Sequence, residues 1–332
     1  MGDASRMKYS TASFLIAALL AASCGGSADS EVQAGGLTGT VAIDGSSTVF
    51  PITEAVAEEF REVQPNIRVT VGVSGTGGGF KKFMASETDL SDASRYIKQK
   101  EVDGCAEAGV EYIELPVAYD GLAVVINKKN SFATEMTIAE LRAMWAADAT
   151  ARTWKDIRPE WPDREFNLYA PGQDSGTFDY FTEVVNGKSG NCRSSATFSE
   201  DDNVLVRGVA GDEDGIAFFG LAYYVENTDK LQCVAVDGGN GPIKPSVVTV
   251  ENGTYAPLSR PLFVYVGTEA AKRPEVDAFV RFYLEQAADL AGEVGYVPFP
   301  KSVYEGVRHR YETRVTGTLR ESKGTLEDLY GK

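Results

Sequence analysis

From residue 40 onward the chain alternates between two hydrophobic periods. TVAID (40–44) and IRVTVGV (67–73) carry apolar residues at every second position, as a strand with one buried face does. In PITEAVAEEFREV (51–63), Ile52, Ala55, Val56, Phe60 and Val63 fall on one side of a predicted helix. SGTGGGFKKFMAS is a Gly-rich turn running into a short helix, TDLSDASRYI follows, and EYIELPVAYDGLAVVINK predicts a long β-rich segment broken at Pro116 and at Asp120-Gly121. The middle of the chain gives helices in TIAELRAMWA, SGTFDYFTEVV and SEDDNVLVRGVAG, and strands in FNLYAPG, GIAFFGLAYY and LQCVAV. After Pro257 come a strand, RPLFVYVG, and a long amphipathic helix, PEVDAFVRFYLEQAADLAGEVG. This alternation predicts an α/β layer architecture with a largely parallel sheet. The 332 residues suffice for two α/β lobes, expected at 38–120 with 257–332 and at 121–256, joined by strand-rich crossings that serve as a hinge.

The N-terminus departs from this pattern. Arg6 and Lys8 precede an apolar run at 14–22, too short to span a bilayer and built like an export leader. Its ending, LAASC, resembles a bacterial lipobox, in which Cys24 would become the lipid-bearing first residue of the mature chain. Leu20 stands one position further from the cysteine than usual, and cleavage without lipid is the alternative. Residues 1–23 are therefore expected to be a lipoprotein-type signal peptide and 24–37, rich in Gly, Ser and Ala, a flexible tether. The expected location is the cell envelope, outside the cytoplasm.

Composition narrows the partners. A formal net charge of −16 argues against nucleic acid or an anionic membrane surface, so any anion site must work through local N–H groups and hydroxyls, against the overall field. A single histidine, His309, and no Cys-x-x-Cys leave almost no scope for a zinc site, and no cofactor is expected. Besides Cys24 there are Cys105, Cys192 and Cys233; an odd number leaves at least one thiol free or paired outside the chain, and Cys192 with Cys233 is the preferred pair because both lie in one region of the sequence.

Four segments carry candidate chemistry. In IDGSSTVFPITEAVAEEF the turn between strand and helix holds Ser46, Ser47 and Thr48, more hydroxyls than one helix cap requires. Surplus hydroxyls beside the free N–H groups of a helix start can hold an anion; plain capping is the competing reading. GVSGTGGGFKKF places Ser74 and Thr76 at another helix start, but lacks the Gly-Lys-Ser/Thr ending of a phosphate-binding P-loop. PGQDSGTFDYF brings Ser175, Gly176 and Thr177 to a third, with Ser175 or Asp174 as cap, and LSDASRYI sets Asp92 and Arg95 just after a strand, where a solvated ion pair is the ordinary outcome.

In their order, DGSSTVFPITEAVAEEF, VSGTGGGFKKF, SDASR, ELPVAYDGLAVVIN and DSGTFDYF resemble the phosphate-binding proteins of bacterial high-affinity phosphate ABC transporters, from about Thr40 to the C-terminus. The resemblance implies a two-lobed type II periplasmic-binding fold with a ligand cleft between the lobes, no catalysis, and delivery of phosphate to permease subunits by a protein expected to be monomeric. It implies phosphate ligands at Ser47, Thr48 and Val49, at Thr76, at Asp92 as acceptor of the phosphate proton, and at Ser175, Gly176 and Thr177. Family members often have an arginine four residues before the Ser of Ser-Gly-Thr, where this chain has Pro171. Arg95 is the expected substitute, ahead of Arg207. The competing functions are the same fold with sulfate or molybdate, a secreted phosphate-ester hydrolase, and a surface protein for adhesion or sensing. The hydrolase lacks a histidine placed as base and a Gly-x-Ser-x-Gly motif.

Overall fold

The computed structural model describes residues 36–331 except Asp174 and Glu200. The expected leader, Cys24 and nearly all of the tether lie outside the described residues.

The first part of the chain runs β1 (Gly39–Gly45), α1 (Phe50–Val63), β2 (Ile67–Val73), α2 (Gly75–Met84), β3 (Leu90–Ala93), α3 (Gln99–Ala108) and β4 (Tyr112–Asn127). Next come β5 (Glu135–Thr137), α4 (Ile138–Trp145), α5 (Trp154–Ile157), β6 (Asn167–Pro171), α6 (Gly176–Asn186), β7 (Thr197–Ser199), α7 (Asp202–Gly211), β8 (Gly215–Gly220) and α8 (Leu221–Glu226). Three short strands, β9 (Leu231–Cys233), β10 (Ala235–Asp237) and β11 (Pro242–Ile243), lead through α9 (Val247–Glu251) to β12 (Ser259–Gly267). The helices α10 (Pro274–Glu293), α11 (Lys301–Glu312) and α12 (Leu326–Tyr330) close the chain. None of the described helices is long and apolar enough to cross a membrane.

Among the described residues the main sheet has the order β2-β1-β3-β12-β4-β8-β6-β7, with β9 also on β4. It is not largely parallel. β1 pairs in parallel with β2 and β3, and β6 with β7 and β8, whereas β12 lies antiparallel to β3 and β4, and β8 and β9 antiparallel to β4. The parallel pairs come from the strand–helix alternation; the antiparallel ones arise where the chain passes between the two halves of the sheet and returns, a long-range event that local periodicity does not encode.

β4 carries this passage. From Tyr112 to Gly121 it pairs with β12, and from Leu122 to Ile126 with β8. Pro116 and Asp120-Gly121 do not break it: all 16 residues form one buried strand, whose register against β12 shifts between Leu262 and Phe263, next to Pro116. GIAFFGLAYY divides into β8 and α8, and LQCVAV into strands of two different sheets.

Cys105, Cys192 and Cys233 are all free, so the Cys192–Cys233 bridge expected from proximity in sequence is not formed. Cys233 sits in β9 within the sheet, while Cys192 lies in the loop after α6 and directs its thiol to the Arg193 carbonyl.

Candidate functional site

The site begins where β1 ends. Gly45 has φ +154°, and a Cβ there would stand 2.1 Å from the Asp92 carbonyl oxygen, so β1 and β3 approach too closely for any other residue. The Ser46 N–H donates to that carbonyl at 3.0 Å, and the Thr48 N–H donates to Ser46 Oγ at 3.2 Å. No side chain caps α1, whose N-cap is Val49. Ser46 thus fixes the turn, and Ser46, Ser47 and Thr48 all line a cleft of about 720 Å³.

The lining also includes Ser74, Gly75, Thr76, Ser94 and Arg95, with Asp179, Tyr180 and Arg260 from elements distant in sequence. Five cations line it (Lys81, Arg95, Lys98, Lys100 and Arg260) against three carboxylates, Glu101, Asp179 and Glu183. A chain of net charge −16 therefore turns a locally positive surface into this cleft.

Arg260, missed by sequence reasoning, is the cation tied to the helix starts. Its guanidinium donates to Thr48 Oγ1 at 3.0 Å and to Asp120 Oδ2 at 3.2 Å, and it lies 3.6 Å from the centre of the Tyr180 ring. Burial pushes Asp120 up, and Arg260 opposes that rise. Arg260 lies near the start of β12 in the sequence SRPLF, where the chain returns across the sheet, and no short-range motif marks it.

Arg95 also lines the cleft, but its guanidinium forms a fork with Glu101 at 2.8 and 2.9 Å. Burial alone would raise Glu101; the Arg95 pair and the Lys98 N–H hold it below its ordinary value. Arg207 is on α7, 69% exposed in its side chain, with Asp201 3.9 Å away, and is not part of the lining.

Asp92 lies beneath the Ser46 turn, 1% exposed, and does not itself line the cleft. No hydrogen bond of ordinary geometry reaches either carboxylate oxygen among the described residues. Burial raises its pKa to about 7; the adjacent Thr53 hydroxyl opposes the rise and Asp44 adds to it. Val49 is fully buried, so only its backbone can serve a ligand. Thr76 faces the cleft, its hydroxyl 3.2 Å from Ser94 Oγ and accepting from the Ser94 N–H.

Ser175 caps α6 by accepting from the Thr177 N–H at 3.2 Å, and neither residue is in the lining. Gly176 packs on the Thr48 backbone, where a Cβ would come within 2.6 Å of the Thr48 Cα. Thr48 Oγ1 lies 3.4 Å from the Gly176 carbonyl oxygen, and Tyr296 Oη donates to the Thr48 carbonyl at 2.7 Å. The starts of α1 and α6 thus meet at Thr48. A cluster of three or more His, Cys, Asp or Glu fit to hold a metal is absent among the described residues.

Comparison with known proteins places this geometry. The model of the PBP superfamily domain matches residues 30–287. Protein SphX of Synechococcus elongatus is 51% identical over 296 residues, 87% of each chain, and the phosphate-binding protein PstS of Staphylococcus saprophyticus is 37% identical over 318 residues, covering 95% of this chain and 92% of its own. This chain belongs to the phosphate-binding protein family. Within that family, a possible phosphate binding protein from Planctomyces limnophilus superposes with a TM-score of 0.82 at 48% identity, over 84% of this chain and 99% of that one. The family's two-lobed type II periplasmic-binding fold is the architecture described above.

Proposed function

We propose that this chain captures inorganic phosphate outside the cytoplasm and delivers it to the permease of an ABC transporter. One observation carries the reading: Arg260 stands on Thr48 at the meeting of two helix starts, and the turn that holds Thr48 is bonded through the Ser46 N–H to the backbone of Asp92, whose buried carboxyl oxygens make no hydrogen bond of ordinary geometry among the described residues. A cation, helix-start N–H groups and hydroxyls suit an oxyanion, and a carboxyl able to share a proton suits one that still carries a proton near neutrality. Sulfate and molybdate carry none at that pH. The names of PstS and of the Planctomyces limnophilus protein support the same ligand.

Ser47, Thr48 and Thr76, which line the cleft, are the proposed phosphate ligands, joined as the lobes close by the Val49 backbone, Asp92 and the Ser175-Gly176-Thr177 turn, which lie outside the lining, with Arg260 supplying the cation and Arg95 a secondary positive charge. The proposed lobes are 38–120 with 257–332 and 121–256; the change of β4 partner at Gly121/Leu122 supports this division. A cleft of about 720 Å³ is far larger than one phosphate needs, which suits lobes that close on their ligand.

Calorimetry on the mature chain at pH 8 tests the ligand: phosphate is expected to bind at micromolar affinity or tighter, with sulfate failing to compete at roughly a hundredfold excess. Equal binding of sulfate, or release of phosphate from a chromogenic ester, would overturn the reading. The anchor is a separate proposal resting on the LAASC sequence alone. Native protein is expected in the detergent phase, with Cys24→Ala released or unprocessed; a mature N-terminus other than Cys24 in a wholly aqueous protein refutes the anchor.

A further inference from the structure

The start of α2 is built differently from that of α6. Serine is the N-cap of both, but Ser175 accepts a bond from its own helix whereas Ser74 makes no cap bond. The Ser74 hydroxyl instead donates to Asp44 Oδ1, on β1. Asp44 is 5% exposed, and its second oxygen receives Lys82 Nζ at 2.5 Å from the last turn of the same helix.

Room for this carboxylate is provided by the neighbouring strand. Asp44 stands opposite Gly72 in the parallel β1/β2 ladder, and a Cβ on Gly72 would lie 2.2 Å from Asp44 Oδ2. A side chain at residue 72 would thus displace the carboxylate that both Ser74 and Lys82 contact. The Ser74 N–H is itself fixed to the Gly45 carbonyl at 3.2 Å, so the α2 start is held against β1 from backbone and side chain together.

An uncapped helix start retains the unpaired N–H groups of its first turn. The residues carrying them, Gly75, Thr76 and Gly77, all line the cleft. We propose that Asp44 is a positioning residue for anion binding: by engaging the Ser74 hydroxyl it keeps that hydroxyl from capping α2, and so leaves the first-turn N–H groups to the ligand. Asp44 does not touch the anion. Its negative charge would disfavour an anion were it not matched by Lys82, which explains why a carboxylate is tolerated close to such a cleft. This inference rests on the oxyanion-binding reading given above.

The test is a double-mutant cycle on phosphate affinity, measured by calorimetry. Without the Asp44 acceptor, the Ser74 hydroxyl turns to the Thr76 or Gly77 N–H, the ordinary partners of an N-cap serine. The effect of Ser74→Ala is therefore expected to be about tenfold more favourable to phosphate in the Asp44→Ala background, which has no side-chain acceptor, than in the Asp44 background, the scale of one hydrogen bond to a charged group. Removing the Asp44 charge also alters the field at the site, but equally with and without Ser74, so it cancels in the cycle. The same Ser74→Ala effect in both backgrounds overturns the proposal, because a merely structural Asp44 predicts that result.

Hydrogen exchange of the ligand-free proteins supplies a readout independent of affinity. The amides of Thr76 and Gly77 are expected to exchange more slowly in Asp44→Ala than in wild type, and fast again in the double variant. Unchanged exchange at both amides in folded Asp44→Ala also overturns it. If wild-type protein binds no phosphate, the functional reading fails instead, and the exchange experiment still decides the role of Asp44.

Discussion

Replacing Asp92 by asparagine is expected to stabilise the ligand-free protein at alkaline pH while eroding its choice of ligand. Burial raises the folded-state pKa of Asp92 from 3.8 to about 7. The native state therefore binds this proton more tightly than the unfolded chain does, and the stability gained from it is complete below about pH 4 and lost as pH rises through about 7. Above that, the buried charge costs roughly 4 kcal/mol, three pKa units at 1.36 kcal/mol each. Asp92→Asn carries no such slope. Urea unfolding of both proteins at pH 5 and pH 8 should show the variant gaining on wild type by a few kcal/mol between the two; parallel curves would remove the basis of the argument.

The same carboxyl is the proposed selector of the ligand. Ionised, it would accept the phosphate proton and repel sulfate; protonated, it would be able to donate to sulfate. Sulfate should therefore compete better with phosphate in wild type as pH falls through about 7, whereas Asp92→Asn should show a narrowed and nearly pH-independent gap. A wild-type ratio that does not move between pH 6 and pH 8 counts against Asp92 as the selecting group.

Arg260→Met is expected to damage both folding and binding, and the two losses can be separated. Its removal leaves Asp120, 1% exposed, without its cation, and breaking a buried pair in this way costs about 3–5 kcal/mol. It also removes the charge that meets Thr48, which should lower phosphate affinity by at least tenfold, roughly 1.5–3 kcal/mol. Adding Asp120→Asn should recover much of the stability and none of the affinity. Arg95→Met should weaken binding less than Arg260→Met, because Arg260 also donates to Thr48 at the helix starts, whereas the side-chain bonds of Arg95 run to Glu101 and the Tyr96 carbonyl. The opposite ranking would show that Arg95, and not Arg260, neutralises the ligand.

The contrast between these arginines shows what the sequence made legible. α1, β2, β6 and α10 have clear periods and short-range start signals, and they formed close to where those signals lie. Ser47, Thr48 and Thr76 could be found because glycine, hydroxyl and helix start are adjacent in sequence. Arg260 could not, since it reaches Thr48 across 212 positions and nothing around it resembles a helix start. The sheet's direction was lost for the same reason: β12 returns from far along the chain to lie between β3 and β4. Nor did one-dimensional proximity reveal that Cys192 and Cys233 occupy a loop and a strand that do not bring their thiols together.

The unbroken β4 has a practical consequence for anyone who would turn this chain into a reporter. All 16 of its residues are buried, and its two ends are bonded to different partners, so a split between the halves would sever a fully paired strand and expose both cut edges. A fluorescent insert belongs where the backbone is exposed and outside the ladders, as at Gly239 and Asn240 between β10 and β11. There the inserted module leaves intact the strand along which the pairing passes from β12 to β8.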